Sequence, residues 1–144
     1  MNNVDNQQTV GFFRLTASIF YDALLLTAVL FFATIPLIFI PEDMQSIQLV
    51  EGMKIFWYLL VSYIYFAGFW LKGGQTPGMR PWKITLVDVQ GGKPNKKQVT
   101  VRFFSAMLSW ALAGLGFLWM IVDRDHFSLH DHLSSSKLVL VKKP

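Results

Sequence analysis

A chain of 144 residues has room for one domain. Only 15% of it is charged and 53% is hydrophobic, whereas soluble domains carry roughly 25% charge, so much of the surface has to face lipid. The absence of Cys excludes disulfides, thiolate catalysis and cysteine-ligated metals, and the net charge of +4 sits mainly in one loop and the tail, where it speaks of membrane topology before nucleic acid.

The first thirteen residues hold no Lys or Arg, and the apolar run after them is too long for the core of a signal peptide. Residues 1–12 read as a flexible N-terminus, and residues 15–40 as a first membrane helix with Asp22 as its one charge. A span needs about 20 residues. Pro36 should disturb the last turn and Pro41 should end it. Residues 41–54 form a short loop in which Glu42, Asp43 and Glu51 face one Lys. Residues 55–71 carry no charge and place Trp57 and Trp70 near their two ends, as in a second span with interfacial anchors.

Residues 72–102 are a basic connector holding Lys72, Arg80, Lys83, Lys93, Lys96, Lys97 and Arg102, with Asp88 as its acid. Gly73-Gly74 and Thr76-Pro77-Gly78 are turn signals. Residues 84–89 alternate broadly between apolar and polar and run into Gly91-Gly92, which predicts a strand entering a turn. A third hydrophobic helix is expected over residues 101–122, interrupted at Gly114-Leu115-Gly116. The tail, residues 123–144, is charged and His-rich, and residues 138–141 have strand-like composition. The expectation is an all-α membrane protein, one domain over residues 1–144, with a small two-stranded element made by the connector and the tail.

Basic residues set the orientation. The first loop has one, the second has seven with its flanks and the tail has four. The second loop and the N-terminus then face the cytoplasm of a multi-pass inner-membrane protein. Three ordinary spans would put the basic tail outside. A third segment bent at residues 114–116 would enter the membrane and return, keeping the tail beside the connector. Both arrangements stay open at this level.

Asp22 is the most informative residue. A carboxylate in hydrocarbon costs about 2.5–3.5 kcal/mol, so it should face other helices and find partners. Arg14, Ser18 and Asp22 recur every four residues and form a polar stripe that drifts about 40° per step. The expected partners are Arg102, Arg14, or a Tyr or Ser of the second helix, which offers Tyr58, Ser62 and Tyr65. Two readings follow: a proton or cation site, or a structural network that locks helix packing. The tail adds Asp123, His130 and Asp131 to this network. His126 and His130 with an Asp would suit Zn²⁺, yet no H-E-x-x-H motif is present and a polar network is the simpler reading. Gly73-Gly74-Gln75-Thr76-Pro77-Gly78 lacks the G-K-[ST] of a phosphate loop. No metal or cofactor is implied, and no nucleophile–base–orienter set marks an enzyme.

Taken in order, these pieces resemble the RDD family of bacterial membrane proteins. The resemblance runs through Phe13-Arg14-Leu15, Asp22, Gly74-Gln75-Thr76-Pro77-Gly78-Met79-Arg80-Pro81-Trp82-Lys83 and Leu86-Val87-Asp88. It continues through Arg102, Gly114-Leu115-Gly116-Phe117-Leu118-Trp119, Asp123, Leu129-His130-Asp131 and the last strand. It implies that Arg14 and Asp22 are the family's arginine and first aspartate, and that the second aspartate is Asp131, with Asp123 as its rival. Ser134-Ser135-Ser136 stands where many members carry a small-Gly-Thr stretch. The resemblance also implies transport of an unidentified ligand. Three spans cannot enclose a pathway, so a homo-oligomer or a partner membrane protein in the bilayer is expected. A non-catalytic membrane scaffold is the alternative. Nucleic acid is not expected as a partner.

Overall fold

The computed structural model describes residues 10–45, 47–111 and 134–140. Helix α1, Phe12–Ala33, begins after Gly11 in extended backbone. It is shorter than the expected 15–40 run, because residues 35–39 (Ile35–Phe39) form a tighter 3-10 helix. Pro36 is the cause: it has no N–H to donate, and its ring crowds the carbonyl one turn back. Ile40, held extended at ψ 125° before Pro41, completes the break.

Helix α1 inverts the rule for soluble helices. It buries Leu15, Ser18 and Asp22 while exposing Phe13, Phe20, Leu24, Phe31 and Phe32. Large apolar side chains turned outward around a buried carboxylate suit a lipid solvent, not water. Residues 12–39 and helix α3, Gln48–Gly73, are each long and apolar enough to cross a membrane.

A four-residue helix α2, Glu42–Gln45, precedes α3. Residues 48–54, expected as loop, belong to α3. Their charges suggest a loop by composition, but Glu51 stands in the first turn, where the helix dipole favours an acid, and pairs with Lys54 at 2.9 Å. At this end α1 and α3 are joined by the Trp57 indole donating to the Ala33 carbonyl (2.8 Å) and by Thr34 and Tyr58 hydroxyls 3.2 Å apart. At the other end Gly74 closes α3 at φ 66°, and an added Cβ would lie 2.8 Å from the Leu86 carbonyl oxygen. Both the left-handed turn and the close approach require glycine there.

Strand β1, Ile84–Asp88, pairs antiparallel with β2, Ser136–Leu140, with Ile84 opposite Leu140 and Leu86 opposite Leu138. The two-stranded element expected from the sequence is therefore present, although β2 starts two residues early. Ile84 and Leu86 turn inward onto Leu15, Trp70, Met79 and Val99, the core of the molecule. Ser135, just before β2, has φ +50° and Gln98 donates to its carbonyl at 3.0 Å. A serine thus stands in the left-handed conformation that glycine favours.

Helix α4, Lys96–Ala111, starts five residues before the expected third helix. Asn95 and Gln98 cap it reciprocally, each accepting from the other's backbone N–H at 2.9 Å. Tyr63 of α3 meets α4 through Thr100 (2.8 Å) and the rings of Phe103 and Phe104. Residues 112–122 of the expected third helix, including Gly114 and Gly116, lie outside the described residues.

The β ladder corrects one of the two arrangements. Hydrogen-bonded strands share one side of any bilayer, and β1 precedes α4 while β2 follows it. Residues 89–135 therefore start and finish on the same side. Three ordinary spans, which put the tail opposite the connector, do not fit this pairing.

Candidate functional site

The site begins with the turn at Thr76-Pro77-Gly78-Met79. Met79 N–H closes it on the Thr76 carbonyl at 3.1 Å, and Pro77 has no N–H to offer. The Thr76 hydroxyl and the Gly78 N–H are left to point at α1. Asp22 lies opposite them, 6% exposed. Its Oδ2 accepts from the Thr76 hydroxyl, and its Oδ1 accepts from Gly78 N–H (3.0 Å) and from the Tyr65 hydroxyl (3.2 Å). A carboxylate taken out of water is thus held by three neutral donors from the loop and α3.

The approach leaves no room for a side chain at position 78. A Cβ there would lie 2.6 Å from Asp22 Cγ, 2.6 Å from the Ser18 carbonyl oxygen and 2.7 Å from Asp22 N. The loop backbone therefore packs directly on α1. Trp82 extends this seam, meeting Tyr21 edge to face at 6.5 Å.

A cavity of about 400 Å³ opens beside the carboxylate, at the junction of α1, α3 and α4. Its wall is mostly apolar, with Phe66, Trp70 and Phe103 among its large side chains, and Asp22, Thr76 and Arg102 supply its polar edge. Its size falls in the roughly 300–1,000 Å³ range of small-ligand pockets.

Arg102 is 2% exposed. Its Nη1 donates to Ser136 Oγ at 3.2 Å, and its guanidinium carbon lies 5.8 Å from the Trp70 ring centroid. Ser136 Oγ is also 2.7 Å from Ser134 Oγ. Arg102 thus ties α4 to the start of β2 and stacks on α3.

The expected network is partly assembled. Ser18 and Asp22 are buried on one face of α1, but the Ser18 hydroxyl donates to the Leu15 carbonyl (2.8 Å), not to Asp22. Arg14 is exposed: two steps of about 40° have carried it off that face. Among the described residues no ion pair joins Asp22 to Arg14 or Arg102. Of the partners expected for Asp22, Tyr65 is the one found. Asp123, His130 and Asp131 lie outside the described residues, as does His126. Sequence reasoning marks Thr76 and Gly78 as turn formers and misses their role at Asp22. The signal lies in the T-P-G string itself, which frees a hydroxyl and a backbone N–H on one side of a turn.

The RDD family model matches residues 11–135, most of the chain. This protein belongs to the RDD family. No curated protein and no solved structure matches it. The matched span takes in Arg14, Asp22, the whole Gly74–Lys83 loop and Arg102. Within this matched span, the Thr76–Gly78 turn closes over Asp22.

Proposed function

We propose that this RDD protein moves a small ligand across the inner membrane as an oligomer, with the junction cavity as the binding position and the Asp22 clasp as its gate. It is read as a multi-pass protein without enzymatic activity, its N-terminus and the connector cytoplasmic. One observation carries the reading: the carboxylate that holds the Thr76–Gly78 turn also lines the cavity, and so does Thr76. A proton or cation on Asp22 would take up acceptor capacity that the three donors now use. The turn would loosen, and the cavity wall would loosen with it. This links ligand access to the charge at Asp22. One chain offers too few helices to enclose a pathway, so copies would have to complete it.

Proteoliposome flux of H⁺ and alkali cations tests this. Wild-type vesicles should pass ions above the level of empty vesicles, and Asp22→Asn should remove that flux. Flux equal to that of empty vesicles in both proteins would sink the transport reading. Orientation has its own test. Cysteines placed at Gln45 and Gln90 should react with an impermeant thiol reagent from opposite faces of the membrane. Labelling from one face would reject it.

The completeness of the Asp22 shell favours a second reading, a non-catalytic scaffold or partner subunit. Three donors leave the carboxylate well satisfied as a structural tie. In that case Asp22→Asn lowers abundance or breaks a complex in native membranes, and no flux is found with either protein.

A further inference from the structure

We infer that the end of the molecule bearing the β-sheet is a binding surface for anionic phospholipid headgroups. Six basic side chains stand exposed there. Lys72 lies in the last turn of α3, Arg80 and Lys83 in the loop before β1, Lys93 in the connection to α4, and Lys96 and Lys97 in the first turn of α4. Among the described residues none of the six has an ion pair. The acid within the connector, Asp88, is spent on its own turn, accepting from Gln90 N–H.

The opposite end is a built-in contrast. There Lys54 is paired with Glu51 at 2.9 Å, and Glu42 and Asp43 stand nearby in sequence. Among the described residues the single Lys at that end is paired and outnumbered by acids, whereas at the sheet end the cations are in excess. Lys96 and Lys97 also sit at the positive end of the α4 dipole, with no acid in that turn, where a cation is disfavoured. Such a surplus is tolerated where an outside anion offsets it.

Position identifies that anion. Helix α1 starts and α3 finishes at this end, and both are apolar enough to cross a membrane. The six cations therefore stand at headgroup level, where the abundant anion is lipid phosphate. Clusters of Lys and Arg next to a span attract anionic lipid in this way, and a zwitterionic headgroup offers no net charge to attract. The inference does not depend on whether the cavity transports anything.

Native mass spectrometry of protein purified in a neutral detergent tests it, using phosphatidylglycerol and phosphatidylcholine with the same acyl chains. The wild type should retain phosphatidylglycerol on the order of tenfold more strongly, and salt should erode the preference. A variant with Arg80→Gln, Lys83→Gln, Lys96→Gln and Lys97→Gln should lose the preference. Lys54→Gln, at the other end, should keep it. Equal retention of the two lipids by the wild type overturns the inference, whether or not the fourfold variant folds. A preference unchanged in a folded fourfold variant also overturns it. So does displacement of the lipid by polyglutamate that phosphatidylglycerol cannot reverse, which would point to an acidic protein partner.

Discussion

Gly78→Ala should leave little folded protein in the membrane. The new Cβ would meet the backbone of α1 and the Asp22 carboxylate at 2.6–2.7 Å, and neither is the free end of a flexible side chain. The loop would have to withdraw. Overpacking of this kind costs about 1–3 kcal/mol. Withdrawal would also break the Gly78 and Thr76 hydrogen bonds, and hydrogen bonds to a charged group are worth about 1.5–3 kcal/mol each. Even the low end of these figures, about 4 kcal/mol in total, approaches the whole stability margin of many small domains. Gly68→Ala is the control. Nothing lies within 4 Å of the point on α3 that its added methyl would occupy, and Ala is preferred to Gly in a helix by about 1 kcal/mol. Size-exclusion profiles and thermal unfolding of the detergent-solubilised proteins would compare the two. If Gly78→Ala behaves like Gly68→Ala, the loop does not pack on α1.

The second large effect belongs to the carboxylate. Asp22→Ala strips two buried donors and one part-buried donor of their acceptor, and each buried donor left unsatisfied costs about 1–3 kcal/mol. A loss of about 3–5 kcal/mol is expected, with Asp22→Asn milder because an amide oxygen still accepts. The informative experiment is a double-mutant cycle. Asp22→Ala and Thr76→Val should couple strongly, by about 1–3 kcal/mol, because each removes one side of the same bond. Asp22→Ala and Arg102→Ala should couple less, since Arg102 is engaged with Ser136 and Trp70. Additivity within about 0.5 kcal/mol for Asp22 and Thr76 would refute the clasp. A larger coupling to Arg102 would restore the ion pair that the charges alone suggest.

That contrast separates what sequence and tertiary structure each decide. The sequence by itself pointed to the lipid environment, because two long apolar runs carrying one charge between them give water little to solvate. It determined that Asp22 needed partners, since the cost of a lone carboxylate in hydrocarbon is independent of fold. It also determined the existence of both strands and the break at Pro36, which follow from local alternation and ring geometry. Helix ends were less legible. Hydropathy marks where lipid begins, and α3 runs past that boundary through Glu51 and Lys54.

Only the tertiary structure decided who holds Asp22. Charge pairing favours Arg14 and Arg102 by type, but direction and distance choose the partner. Arg14 rotates off the buried face of α1, and Arg102 is aimed at β2. Two of the donors that do arrive stand 54 and 56 residues away in the chain, and one of them is a backbone N–H, which no side-chain identity announces. The place of the last strand was settled the same way. Composition left it free of the connector or beside it, and it was the β1–β2 ladder, a contact between distant segments, that put residues 136–140 beside the connector.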